Sequence, residues 1–128
     1  MKRKIKYYAI AIWLFTINAC DEFTYYDYFI TNNCQEAIIV SIEVSNLIMK
    51  KDYSRIRIEP DSTQLVLSAR DYQPLYQPMI EGFFKTITIF KGEKTSKINY
   101  VNKDLWDYVE SSRIHSLNYL KVNPEDFE

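Results

Sequence analysis

The sequence predicts a mainly β protein, a single antiparallel β-sandwich, and three observations support this. Its aromatic residues are chiefly tyrosine, which together with β-branched residues favours strands. Apolar and polar residues alternate with a period of two along several short segments, the pattern of strands with one buried face. Turn-forming residues separate these segments, and the chain beyond residue 20 is long enough for one domain with one core.

The alternation is clearest in the first half of the domain. Residues 24–31 predict a first strand, and the turn-forming "NNCQ" follows it. Residues 37–44 predict a second, half-buried strand. The residues expected on its inner face are Ile38, Val40, Ile42 and Val44.

The next pair of segments is predicted to form a hairpin. Residues 54–59 alternate arginine with isoleucine, residues 63–69 follow, and "PDS" supplies the turn between them. Because Leu65 and Leu67 are two residues apart, they are expected to share one face of the second strand.

The second half of the domain continues the pattern less evenly. Residues 83–92 predict a strand with Ile87 and Ile89 on one face, and residues 97–101 predict a short one. Residues 112–122 predict a closing strand that ends before Pro124. Several short strands joined by turns indicate a sandwich of immunoglobulin-like or related type.

One short helix is also predicted, within residues 102–110. Asn102 or Asp104 would cap its first turn. Leu105, Trp106 and Val109 are spaced to face inward from one or two helical turns.

The amino-terminal segment has the two-part layout of a secretory signal peptide. Its charges are all basic and precede an uncharged apolar run over residues 7–17. That run is shorter than the roughly 20 residues that cross a bilayer as a helix, although an uncleaved anchor remains an alternative. The basic residues are Lys2, Arg3, Lys4 and Lys6.

Residues 17–20, "INAC", resemble the lipobox of bacterial lipoproteins. The resemblance implies that Cys20 carries diacylglycerol and that cleavage after Ala19 makes it the first mature residue. A thiolate is a suitable nucleophile for that linkage. The chain would then comprise a signal peptide over 1–19, a lipidated anchor segment over 20–23 and a β-sandwich domain over 24–128. The alternative is an ordinary buried or disulfide-bonded Cys20 after a conventional signal peptide.

The order of features resembles the small envelope lipoproteins of Bacteroidales. The shared features are the lipobox, "ITNN" before an apolar strand, "RIEPDS", "KTITIFKG", a tryptophan after a polar turn, and a last strand running into "EDF". The resemblance implies no catalytic residues. Asp21 and Glu22 resemble the acidic residues that sort lipoproteins of that phylum to the outer membrane, in its periplasmic or surface leaflet. Aspartate after the cysteine is also similar to an inner-membrane retention signal of enteric bacteria.

Charge distribution agrees with export and disfavours nucleic acid as a partner. A mature chain starting at Cys20 carries 12 basic and 17 acidic residues, a net charge of −5. Nucleic-acid binding requires clustered Lys and Arg on one face, and a polybasic route to anionic lipid requires the same. Attachment to a membrane would therefore depend on acyl chains at Cys20.

The sequence predicts no catalytic, metal-binding or cofactor-binding residues, so an envelope hydrolase is a distant third hypothesis. His115 is the one histidine and is expected to be an exposed strand residue, while Cys34 is expected to be an apolar filler. Zinc requires several His or Cys ligands at short spacings. The carboxylate pairs, Asp104 with Asp107 and Glu125 with Asp126, are expected to be a helix start and a solvated tail.

Binding is the functional class that the sequence favours. "YQPLYQP" places Tyr72 and Tyr76 on a loop stiffened by prolines, and Trp106 could join them. The sequence predicts a non-catalytic structural or protein-interaction module bound to the envelope. The alternative is a carbohydrate-binding module that uses these aromatics. A structural alternative also stays open, in which the tyrosines cap the end of the core.

Overall fold

The computed structural model of the protein describes residues 24–45, 53–71, 80–112 and 115–128. Strands dominate this part of the chain, with one four-residue α-helix and two 3₁₀ turns at Lys103–Leu105 and Pro124–Phe127. The elements are β1 (Thr24–Asn32), β2 (Ile38–Val44), β3 (Tyr53–Ile58), β4 (Thr63–Asp71), α1 (Ile80–Phe83), β5 (Phe84–Lys91), β6 (Lys94–Thr95), β7 (Trp106–Ser112) and β8 (His115–Val122). The predicted mainly β fold is confirmed.

The strands form two four-stranded sheets. The first sheet has the order β4-β1-β8-β7 and the second has the order β3-β2-β5-β6. Most neighbours are antiparallel, as predicted, but β1 and β8 are parallel, with Tyr25 opposite His115 and Asn32 opposite Val122. The chain forms all of the second sheet between these two strands, so β8 returns to β1 by a long connection and can run in the same direction.

Buried side chains from both sheets meet in one core. The centroid of the Tyr28 ring on β1 lies 4.9 Å from the ring centroid of Phe84 on β5 and 5.7 Å from that of Trp106 on β7. Both contacts are edge to face. Phe84 and Trp106 stack with ring centroids 5.9 Å apart. Aromatic pairs of this geometry contribute beyond their buried area, so they hold the two sheets together at the centre.

The hairpin predicted for residues 54–69 is wrong, because β3 and β4 belong to different sheets. The turn between them carries the chain from the second sheet to the first. It is tied to the end of β1, since Asp61 donates its N–H to the Asn32 carbonyl at 2.8 Å and the Asn32 N–H donates to the Ser62 carbonyl at 2.9 Å. Turn-forming residues between two alternating segments are expected both in a hairpin and in a connection between two sheets. The sequence could therefore not distinguish these two topologies.

Leu65 and Leu67 do not share a face as predicted. Tyr28 is opposite Leu67 and Phe29 is opposite Leu65, which leaves Val66 as an extra residue in β4. This β-bulge shifts the alternation by one residue. Val66 and Leu67 are therefore buried, and Leu65 is exposed on the outer side of the sheet.

The predictions for residues 97–110 are partly wrong. Residues 97–101 form no strand, and the helix is a single 3₁₀ turn in which the Asn102 side chain accepts from the Asp104 N–H. Trp106 begins β7 and faces inward as predicted. Val109 is exposed, because a strand places residues three apart on opposite faces, and Leu105 is exposed on the 3₁₀ turn.

Candidate functional site

Five of the residues singled out from the sequence lie outside the described residues. Cys20, Asp21 and Glu22 precede β1, and Tyr72 and Tyr76 fall between β4 and α1. Lipidation, sorting and loop binding therefore stay predictions.

Trp106, the remaining candidate binding residue, lies in the core. Its side chain is 5% exposed, and its indole N–H donates to the Tyr100 carbonyl at 2.9 Å. The indole stacks on Phe84 and lies perpendicular to the Tyr28 ring, so it holds the sheets together and offers no ring face to a ligand.

The outer side of the first sheet carries a band of apolar side chains that reaches all four strands. We call it the apolar face; its members are Tyr25, Phe29, Leu65, Val109, Leu117 and Tyr119. Strand register makes the band continuous, since Phe29 lies between Leu65 on β4 and Tyr119 on β8, and Leu117 lies opposite Val109.

Exposure sets this band apart from the rest of the described surface. Tyr25, Leu65 and Val109 are 42%, 44% and 49% exposed, and three of the four large apolar side chains that are exposed among the described residues belong to the band. The Phe29 and Tyr119 rings stack 5.1 Å apart at 16° and form its centre. Contiguous apolar surface of this kind marks interaction sites.

A polar cluster lies inside the apolar face. The Asp27 carboxylate accepts from Ser68 Oγ at 2.7 Å and is paired with His115 Nε2 at 2.7 Å. The Tyr25 ring meets the imidazole edge to face at 6.4 Å. His115, predicted to be exposed, is thus half-buried and paired. Asp27, Ser68 and His115 lie on β1, β4 and β8, so their hydrogen bonds join three strands and hold this part of the apolar face in place.

The order of groups in this cluster differs from that of a nucleophilic triad. In a triad the imidazole lies between the hydroxyl and the carboxylate, so that it takes the hydroxyl proton. Here Asp27 lies between Ser68 and His115, and the Ser68 hydroxyl donates to the carboxylate. This hydrogen bond orients Ser68 and does not activate it.

The candidate carboxylates are also placed by the structure. Asp104 and Asp107 border a cavity of about 270 Å³ beside Lys121, and Asp126 accepts from the Asn123 N–H at 3.0 Å and the Tyr100 hydroxyl at 3.2 Å. Asp126 thus closes the carboxyl-terminal turn. Among the described residues, no three or more His, Cys, Asp or Glu side chains are grouped so as to hold a metal.

Cys34 is buried, as predicted, with Sγ 4.0 Å from the Val122 carbonyl oxygen. Burial raises the pKa of its thiol, and Lys91 opposes that effect in part. A neutral thiol in an apolar site behaves as a small hydrophobic side chain.

Sequence reasoning missed the apolar face, although a signal for it was present. Residues 24–31 are aromatic on both sides of the predicted strand, whereas a strand with one solvated face carries polar residues there. Tyr25 and Phe29 were therefore the residues that could have pointed to a second interface.

No protein-family model matches this chain, and no significant similarity to a curated protein or to a solved structure was found. Across the described ranges, no helix is long and apolar enough to cross a membrane.

Proposed function

We propose that the protein is a lipid-anchored envelope protein whose β-sandwich, immunoglobulin-like or related, is a non-catalytic protein-interaction module. The observation that carries the proposal is the apolar face, which spans all four strands of the first sheet. The basic start, the short apolar run and Cys20 support the anchor.

The composition of the apolar face favours a protein partner. Tyrosine and phenylalanine are enriched in the cores of protein interfaces, whereas charged residues are depleted there. Phe29 and Tyr119 fit such a core, and Leu65 and Val109 extend it to both edge strands. The Asp27 carboxylate is hydrogen-bonded to both Ser68 and His115, so a partner would not have to accommodate an unpaired carboxylate.

The proposed anchor restricts where that partner is found. Three residues lie between Cys20 and Thr24, so the start of β1 is held within about 14 Å of the lipidated residue. β1 has nine residues and is roughly 30 Å long. The Tyr25 end of the apolar face thus lies nearest the membrane, and the expected partner is a protein held at the same membrane, most simply the outer membrane.

The glycan-binding alternative depends on Tyr72 and Tyr76. Their loop starts after Asp71, which pairs with Thr24 in the sheet, so it begins at the anchored end of the domain. A large glycan has least access there, which favours protein interaction as the primary function.

Two matched lysine substitutions test the apolar face. Leu65 and Leu105 are 44% and 42% exposed, but Leu65 lies on the face and Leu105 lies on the 3₁₀ turn before β7. We expect Leu65→Lys to lower partner capture from cross-linked native membranes at least tenfold, because a charge would be desolvated in the interface. Leu105→Lys should capture at the wild-type level. Equal capture by all three proteins would disprove docking through this face.

Mass spectrometry of the same samples tests the anchor separately. We expect Cys20 to be the amino-terminal residue and to bear acyl chains. An intact amino terminus or a free Cys20 thiol would disprove lipidation and leave the result for the apolar face standing.

A further inference from the structure

The outer side of the second sheet carries a depression of different chemistry. It encloses about 440 Å³ and is bordered by Ile39, Ser41, Arg55, Phe90 and Gly92. These residues come from β2, β3, β5 and the turn after β5, so register within one sheet brings them together.

The floor of the depression is apolar. Ile39 and Phe90 lie directly opposite each other on β2 and β5, and both are half-buried. Beside them the chain turns through Gly92 and Glu93 to β6, and Gly92 has a φ of 61°, the value that a two-residue turn of this kind requires. A Cβ at Gly92 would meet nothing within 4 Å, so the space beside this turn is open.

The rim of the depression carries an unneutralised cation. On the same outer side, Arg57 is paired with Glu59 at 2.7 Å, and Lys85 is paired with Glu43 at 3.2 Å. Arg55 has no acidic partner among the described residues. Its guanidinium is therefore available to a carboxylate, which it can bind through two parallel hydrogen bonds.

The backbone beneath the floor of the depression is paired within the sheet. Ile39 of β2 pairs with both β3 and β5, and Phe90 of β5 pairs with both β2 and β6. Peptides that add to a sheet require an open edge. The open edge beside the depression is β3, at its rim, so recognition over the floor comes from side chains, which suits a sugar ring better than a peptide backbone.

We infer that this depression binds a glycan containing a hexuronic acid. The apolar side of the pyranose packs on Phe90 and Ile39, its carboxylate binds Arg55, and a ring hydroxyl hydrogen-bonds Ser41. The mature chain is acidic overall, so an anionic sugar is attracted to this domain only where a local cation is unpaired.

The test is a titration of the purified full-length protein with trigalacturonate, followed by calorimetry. We expect saturable binding that weakens as salt rises, because an exposed charge pair is screened. The fully methyl-esterified trimer has the same rings without the carboxylates, and it should bind at least tenfold more weakly.

Two arginines on one strand supply the matched control. Arg55→Gln should weaken trigalacturonate binding at least tenfold, whereas Arg57→Gln should change it less than twofold, since Arg57 is already paired. Phe90→Leu keeps an apolar side chain but removes the ring, and it should weaken binding of the trimer several-fold.

Three results would overturn the inference. One is the absence of saturable binding, and another is an equal loss in Arg55→Gln and Arg57→Gln, which would indicate diffuse attraction. The third is equally tight binding of a glutamate-rich peptide, which would show that the site selects charge without selecting a sugar.

Discussion

Asn32 and Asn118 are two fully buried asparagines on the parallel pair β1 and β8, yet their surroundings differ. The Asn32 side chain makes three hydrogen bonds: Nδ2 donates to the carbonyls of Glu36 and Ile58 at 2.8 and 3.1 Å, and Oδ1 accepts from the Cys34 N–H at 2.8 Å. The Asn118 Nδ2 donates to Ser116 Oγ at 3.0 Å and to the Asp27 carbonyl at 3.3 Å. Its Oδ1 has no hydrogen-bond partner within the described parts of the chain.

Position within the strand explains the difference. Asn32 is the last residue of β1, where the chain turns and leaves backbone groups outside the sheet ladder. Its amide pairs those groups and joins the first sheet to β3 of the second through Ile58. Asn118 is in the middle of β8, where neighbouring backbone groups pair with β1 and β7. A buried amide is therefore well satisfied at a strand end and poorly satisfied inside a ladder.

The largest expected effect is that of Asn32→Ala. The change leaves the Cys34 N–H and the Ile58 carbonyl buried without this partner, and each such group costs about 1 to 3 kcal/mol. We therefore expect a loss of about 3 to 5 kcal/mol in the free energy of unfolding, measured by urea denaturation.

Asn33 provides the control for this variant. Its side chain is exposed and bonds to Asn123 Oδ1 at 3.0 Å. Asn33→Ala should therefore cost within about 0.5 kcal/mol, as surface changes do. Similar losses in the two variants would contradict the view that Asn32 is a structural junction.

An intermediate effect is expected from alkaline pH through Tyr28, which lies opposite Asn118 in the register. Burial, with a smaller contribution from Tyr26, raises the pKa of Tyr28 above its ordinary value of about 10. The folded state thus holds this proton more tightly than the unfolded state. The contribution of Tyr28 to the free energy of unfolding is therefore complete below about pH 10, and above that pH it falls by about 1.4 kcal/mol per pH unit.

Urea denaturation between pH 8 and pH 11 measures this loss. Tyr28→Phe removes the titrating group, so its free energy of unfolding should fall less steeply with pH than that of the wild type. The two proteins are compared by the slope of the free energy of unfolding against pH. Their absolute stabilities at pH 8 are not compared. Identical slopes would show that Tyr28 does not control the alkaline limit.

Period-two patterns predicted β1 to β5 close to their observed bounds, but they predicted a strand at residues 97–101 that does not form and did not predict β7. They failed where long-range contacts decide the structure. Residues 37–44 alternate evenly and form β2 close to the expected bounds. The bulge at Val66 interrupts the alternation of β4, and no glycine or proline in that strand indicates it in the sequence. The assignment of β3 and β4 to different sheets depends on long-range pairing, which turn residues do not encode.

The sites were harder to predict than the fold. The sequence allows Trp106 to join the loop tyrosines in binding, but Phe84 and the Tyr100 carbonyl hold it in the core, and only the fold brings them together. The pairing of Asp27 with His115 joins residues 88 positions apart. Arg55 and Arg57 look equivalent in the alternating segment, and the structure distinguishes them through Glu59.

The smallest expected effect tests the other half of the comparison. Replacing Asn118 with leucine removes a buried acceptor that lacks a partner, and Ser116→Ala in the same protein removes the hydroxyl that accepts from its amide. Replacing both partners of a buried hydrogen bond by apolar groups is nearly neutral or stabilising. The double variant should therefore unfold within about 1 kcal/mol of the wild type, against the several kcal/mol expected for Asn32→Ala. Asn118→Leu alone should be less stable than the double variant, because it leaves the Ser116 hydroxyl buried without that partner.

A loss above about 3 kcal/mol in the double variant would mean that the Asn118 carbonyl is hydrogen-bonded after all, for example to a buried water, and the two asparagines would then be equivalent.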